Sequence, residues 1–376
     1  MIIQRSHDLT KVQQLLRIFP VTALLGARQS GKTFLARKVS ADYYFDLENL
    51  TDAAALQNPQ VLLSPLKGII VIDEIQRQPS LFPVLRYLVD HYPKQKYLIL
   101  GSSSGHLLKQ SSESLAGRIG YHYLSGFHLI DVGEKHLRRL WLRGGFPKAY
   151  LARNNESCKQ WQENYLTTYF ERDLPQLGVT IPSATLRRFW MMLGSYHGQV
   201  VNFSDIGRSF GVSDMTVRKY IDILESSFMV RLLQPYFSNI GKRLVRSPKI
   251  YLRDSGLCHR LLSINQEREL LGHVKLGASW EGFALENLVA HLNVSAHEIF
   301  FWATHAGAEV DCVWQNKGAL WGAEFKYSDA PTLTKSMIIA VNDLKLRHLW
   351  VIYPGEKAYP LNDKISVLPL KDIQRV

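Results

Sequence analysis

Cysteine is scarce in this 376-residue chain. Only Cys158, Cys258 and Cys312 are present, and they are scattered without any metal-ligand spacing. A disulfide framework is therefore not expected, and a reducing, cytoplasmic setting is. Long apolar runs are absent too. No stretch approaches the roughly 20 residues that span a bilayer. The opening MIIQRSHDLTKVQQLLRIFP is broken by charges and is not expected to act as a secretory signal. Acidic residues fall short of basic ones, 33 against 45, for a net charge of +12. That excess favours polyanions such as nucleic acid or an anionic membrane surface. Hydrophobic residues make up 46% of the chain, so disorder is excluded, and the length suits two or three domains.

The first third carries the strongest signal. An apolar run, VTALL, leads into GARQSGKT, Gly26 to Thr33, and then into a helical stretch, FLARKVSA. G-x-x-x-x-G-K-T between a strand and a helix is a phosphate-binding loop. Its glycines let backbone N–H groups curl round phosphates, and the helix N-terminus adds its positive end. Gly26, Ala27, Arg28, Gln29, Ser30 and Gly31 are expected to form this cradle. Lys32 would reach the β- and γ-phosphates of ATP, and Thr33 would offer its hydroxyl to Mg²⁺. Residues 69–72 are all β-branched and predict a buried parallel strand, with Asp73 and Glu74 at its C-terminal end. Asp73 would hold Mg²⁺ through water, and Glu74 would orient the attacking water. YYFDLEN predicts another strand. YLILGSSS predicts a third, whose Ser102 or Ser103 is either a γ-phosphate sensor or a plain turn. Arg118, in LAGRIGYHY, is either a surface arginine or the residue that a neighbouring subunit inserts to stabilise developing charge.

The middle of the chain reads as a winged helix-turn-helix. One short helix is capped by Ser204, Gly211–Val212 make the turn, and Ser213 caps a second helix with Val217, Ile221 and Leu224 on its core face. A strand, MVRLL, and a basic wing follow. Thr216, Arg218 and Lys219 would approach DNA, and Lys242, Arg243 and Arg246 would meet phosphates. The alternative is a lid without DNA contact.

In the last third, a helix bearing Glu281 precedes a hairpin turned by Gln-Asn-Lys-Gly. A further helix at 333–346 and a strand, HLWVIYP, complete an α–β–β–α–β order. Strand alternation puts Glu324 and Lys326 on one face. If Asp311 shares that face, carboxylates and an ammonium meet there. They form either a Mg²⁺ site, with Asp311 and Glu324 as ligands, Glu281 completing the shell and Lys326 positioning a nucleophile, or an ion-pair cluster with Lys326 as its cation.

This order of motifs resembles the AAA-type ATPases of bacteria and archaea that carry a C-terminal domain of unknown function similar to PD-(D/E)XK nucleases. GARQSGKT, VIDEIQ, GSSS, LAGR, GGFP, YIDILESSFMVRLLQPY, WEGF, EVD and EFKYS carry the resemblance. It implies an α/β protein: a P-loop ATPase (parallel sheet with helices on both faces) over 1–150, a helical segment and winged helix-turn-helix over 151–248, and a nuclease-like α/β domain over 249–376. The resemblance implies Lys32, Thr33, Asp73 and Glu74 as the ATPase site, and Glu281, Asp311, Glu324 and Lys326 as the nuclease-like site. The expected function is an ATP-driven, DNA-binding motor that remodels or moves on DNA, branched DNA included, homo-oligomeric with a hexamer as one arrangement, and with no membrane partner. An ATP-gated nuclease and a nucleotide-dependent protein-interaction switch are the alternatives.

Overall fold

The computed structural model describes residues 3–102, 113–176, 179, 181–237, 244–292, 294 and 297–376. Two compact units emerge, residues 1–126 with 226–229, and residues 127–225 with 230–376. None of the helices among the described residues is long and apolar enough to cross a membrane.

The first unit contains α1 (Ser6–Ile18), β1 (Val21–Gly26), α2 (Lys32–Ala36), β2 (Tyr43–Asp46), α3 (Leu50–Ala55), α4 (Pro59–Leu63), β3 (Gly68–Asp73), α5 (Leu81–His91), β4 (Gln95–Ser102) and β5 (Ile119–Tyr123). Its five strands are parallel in the order β2-β3-β4-β1-β5, with β4 inserted between β1 and β3. Alternation along the strands builds two cores. Ala23, Ile70, Ile72 and Ile99 pack on one face with Leu81, Leu85 and Leu88 of α5. Leu24, Val71, Leu98 and Leu100 pack on the other with Val12 of α1 and Leu35 of α2. Continuous apolar strands are what a sheet covered on both faces requires. The helix after the phosphate loop stops at Ala36, shorter than FLARKVSA suggested.

The second unit contains α6 (Asn155–Thr168), α7 (Ser183–Ser195), β6 (Gln199–Val200), α8 (Phe203–Phe210), α9 (Asp214–Ser226), β7 (Val230–Pro235), β8 (Lys249–Leu252), α10 (Leu276–Leu292), β9 (Ile299–Ala303), β10 (Glu309–Asn316), β11 (Ala319–Phe325), α11 (Lys335–Asp343), β12 (His348–Tyr353), β13 (Tyr359–Asn362) and β14 (Ile365–Pro369). One mixed sheet runs β13-β14-β12-β11-β10-β9-β7-β8-β6. Gly211, at φ 71°, makes the tight turn between α8 and α9. The cap of α8 is Asn202, which accepts from the Asp205 N–H, in place of the expected Ser204. Of the strands that follow α9, β8 pairs antiparallel with β7 on one side and with β6 on the other, and β7 pairs in parallel with β9. Strand β9 was not read from the sequence, so the hairpin β10–β11 follows α10 with one strand between them. The hairpin itself turns at Lys317 and Gly318, both with positive φ, as an Asn-Lys-Gly turn demands.

Candidate functional site: a phosphate loop and a lysine-centred carboxylate cluster

The phosphate loop follows β1. Gly31 adopts φ 101°, and a side chain at Gly26 would press its Cβ to 2.0 Å from the Leu124 carbonyl oxygen, so both positions demand glycine. Lys32 is buried, and its ammonium donates to the Gly26 and Ala27 carbonyls at 3.0 Å each. Burial lowers its pKa to about 8, against the pull of Glu74 and Asp73. Among the described residues, the buried Ser30 hydroxyl has no partner. Arg28 meets Glu48 at 3.3 Å.

Parallel pairing brings the rest of the site to the same strand ends. Gly26 lies opposite Ser102, and Asp46 opposite Asp73. The Thr33 hydroxyl donates to Asp73 Oδ2 at 2.8 Å, and the Tyr44 hydroxyl donates to the same oxygen at 2.6 Å. Glu74 holds an uncommon left-handed backbone, φ 55°. Gln76 donates from its amide to Glu74 Oε2 and to Ser102 Oγ, the latter at 2.9 Å. Burial pushes the Glu74 pKa above its ordinary value, while Lys32 opposes the shift. Ser103 lies outside the described residues. A hydroxyl and carboxylate already joined, beside a loop closed on a buried ammonium, are the donor set that ATP with Mg²⁺ requires. Thr33 and Asp73 would hold the ion.

Arg5, Tyr44 and Gln76 were missed. Arg5 is buried and donates to the carbonyls of Ser30 at 3.2 Å, Ser125 at 2.8 Å and Gly126 at 3.1 Å, bracing the loop from the N-terminal segment. Its Nε meets Asp8, which also contacts His122 at 2.8 Å. Arg118 is gripped by both oxygens of Asp90, at 2.7 and 2.9 Å. It lies just before β5, whose Ile119 pairs with Val21, and so at the sheet edge away from the phosphate loop.

In the second unit, two of the expected carboxylates, Glu281 and Asp311, converge on an unexpected cation. Lys249 on β8 donates to Glu281 Oε1 at 2.9 Å and Asp311 Oδ1 at 3.0 Å, and pairs with Glu309. Glu281 Oε1 also accepts the Tyr251 hydroxyl at 2.6 Å, and Asp311 Oδ2 accepts the Phe325 N–H at 2.9 Å. Lys326 pairs with Glu324 at 2.6 Å, as their shared face requires. Burial, and after it the Asp311 charge, raises the pKa of Glu281 to about 7 and of Glu324 to about 8. Burial works against the Lys249 ammonium, but Tyr251 and the carboxylates outweigh it and hold it well above its ordinary pKa. Among the described residues, no group of three or more His, Cys, Asp or Glu is arranged to hold a metal ion. Lys249 thus takes one oxygen each of Glu281 and Asp311, whereas Glu324 meets Lys326 through Oε1 and its buried Oε2 has no partner among the described residues. The lysine was read only as part of a basic wing.

Of the residues proposed for DNA, Arg218 lies 3.8 Å from the centre of the Phe203 ring, and Lys219 and Arg246 are exposed. Thr216 instead belongs to the helix start, where its N–H and hydroxyl meet Ser213 Oγ. A cleft of about 900 Å³ is lined in part by Phe203, Asp214, Arg218, Phe237, Arg246 and His305. Lys242 and Arg243 lie outside the described residues.

The first unit thus has the fold of a P-loop ATPase. Residues 19–132 match an AAA domain, residues 134–268 a domain of unknown function (DUF8612) and residues 276–373 another (DUF4143). The chain is 46% identical over 377 residues to the uncharacterized protein Rv2008c of Mycobacterium tuberculosis, covering 99% of this chain and 85% of that protein, and equally so to the uncharacterized protein Mb2031c of Mycobacterium bovis. It belongs to the family of these mycobacterial proteins, with an AAA domain at its head. Its fold is similar to that of the Walker-type ATPase PABY2304 of Pyrococcus abyssi, with a TM-score of 0.50 and 17% identity over 69% of this chain and 96% of that one.

Proposed function

We propose that the protein is a Mg²⁺-dependent ATP hydrolase whose turnover responds to DNA held by the second unit. The observation that carries the hydrolase is the meeting of Thr33, Asp73, Glu74 and Ser102 at adjacent strand ends beside the buried Lys32. Lys32 binds the β- and γ-phosphates once its bonds to Gly26 and Ala27 open. Glu74 orients the attacking water and draws its proton, with Gln76 and Ser102 steering the carboxylate. Bound Mg²⁺ supplies neutralisation of charge on the phosphates. DNA is the partner that the net charge of +12 favours, and the Arg218–Arg246 cleft with its exposed Phe237 is the surface that supports it.

Phosphate release tests the first half. Glu74→Gln is expected to retain nucleotide binding and to slow turnover by about 10²–10⁴-fold. Turnover at the wild-type rate would remove Glu74 as the base. The second half is tested by ATPase rates with single-stranded, duplex and branched DNA, and by binding at several salt concentrations. Arg218→Ala and Arg246→Ala should each reduce the slope of log affinity against log salt by about 1. Binding that ignores salt, or no binding at all, would leave a hydrolase with some other partner.

A further inference from the structure

We propose that the Glu281–Glu309–Asp311 cluster is a socket for the ammonium of Lys249 and not a divalent-metal centre. The count of donors and acceptors closes. An ammonium has three N–H donors, and Lys249 has three carboxylate partners, in Glu281, Asp311 and Glu309. The remaining geometry fixes both sides of the contact. The backbone of Lys249 is paired to Leu233 of β7 and to Val200 of β6, so the strand that carries it is held on both edges. Asp311 lies where the register of β10 against β9 shifts, between Val310 and Val313, and its second oxygen is tied to the Phe325 N–H. Glu281 is tied by the Tyr251 hydroxyl, two residues along β8 from the lysine. The Phe301 ring centre lies 5.7 Å from the ammonium and adds its negative face.

A Mg²⁺ ion wants near-octahedral oxygens at about 2.0–2.1 Å and keeps several waters. To use Glu281 Oε1 and Asp311 Oδ1 it would have to displace a buried cation already bonded to both, and two cations on these oxygens would repel each other. The chemistry of a metal nuclease, activation of a metal-bound water, is then closed to this cluster while Lys249 stays in place. The socket instead pins β8, the strand reached directly from Arg246 and the cleft, onto α10 and β10. This inference does not depend on ATP hydrolysis.

The test is Mn²⁺ titrated into the full-length, nucleotide-free protein, with free Mn²⁺ followed by electron paramagnetic resonance. Wild type and Asp311→Asn are expected to bind the same number of ions, and Lys249→Met to bind one more, which Lys249→Met with Asp311→Asn loses. An ion bound by wild type and lost in Asp311→Asn would overturn the proposal. So would a folded Lys249→Met that gains nothing. If Lys249→Met does not fold, the comparison of wild type with Asp311→Asn decides alone, and Glu281→Gln replaces Asp311→Asn should that variant fail to fold.

Discussion

At the scale of single residues, the site works by placing charge where burial makes it costly. Lys32 shows this. Its pKa of about 8 reflects burial first, with Glu74 and Asp73 holding it partly up. Phosphate binding needs the ammonium, so nucleotide binding must take up a proton once the pH exceeds about 8. ATP affinity is therefore expected to be level near pH 7 and to fall by up to tenfold per unit as the pH rises beyond 8. Titration with a fluorescent ATP analogue from pH 7 to 9.5 checks this, and a flat profile would mean that Lys32 keeps its proton without phosphate. Lys32 itself was legible because its partners lie within seven residues of chain, inside one motif. Arg5 was not, since its acceptors at Ser125 and Gly126 are 120 and 121 residues away. An isolated arginine before a helix carries no local sign of what it will brace.

Elements were legible where one period ruled and obscure where burial was complete. Strands β1, β3 and β4 announced themselves as apolar runs ending in phosphate-site residues. Helix α10 suggested two apolar faces, and in the fold both are buried, as are Glu286 and Asn287 between them. Glu286 is held by Arg231 at 2.5 and 3.0 Å and by Arg253 at 3.3 Å. No spacing rule links residue 286 to 231 and 253, which is why the triad went unseen. Removing the carboxylate would leave two guanidinium groups buried together. Glu286→Ala is expected to cost about 3–5 kcal/mol in chemical denaturation. A loss under 1 kcal/mol would mean that water reaches the arginines. The pH dependence of this unit follows from signs. Burial opposes ionisation of Glu286, but Arg231 and Arg253 outweigh it and bring its pKa down to about 2, so it stabilises above its ordinary 4.5 and loses that effect as the pH falls toward 2. Glu281 and Glu324 are raised, to about 7 and 8, so their contribution is complete below 4.5 and is lost as the pH climbs through those values. Stability of the second unit should therefore be highest at about pH 4–5 and fall in both directions from there, and thermal melts at pH 3, 4.5 and 8 would expose a different order.

At the scale of the whole molecule, the chain passes between its units at Gly126–Phe127, Glu225–Ser226 and Met229–Val230. The second helix of the helix-turn-helix thus runs directly into a segment that belongs with the ATPase. There Phe228 packs on the apolar core of that unit and meets the Tyr123 ring edge-on at 5.7 Å. Tyr123 closes β5, the strand that Arg118 precedes. Arg118 itself cannot serve the phosphates of its own chain if they bind beyond Gly26, because the six-residue β1 separates them by roughly 20 Å. An arginine at that edge is useful to catalysis only in a neighbouring copy, in a head-to-tail assembly. Its pairing with Asp90 would then have to exchange for the neighbour's γ-phosphate. Mixing separates this from a surface role. Arg118→Ala keeps Glu74, and Glu74→Gln keeps Arg118, so each variant alone should be nearly inactive while still binding ATP. In an equal mixture, about a quarter of head-to-tail interfaces would unite a working glutamate with a working arginine, and ATPase activity should return to that extent. Full activity in Arg118→Ala alone, or a wild-type protein that hydrolyses ATP while light scattering with ATP present shows only monomers, would confine Arg118 to its ion pair with Asp90.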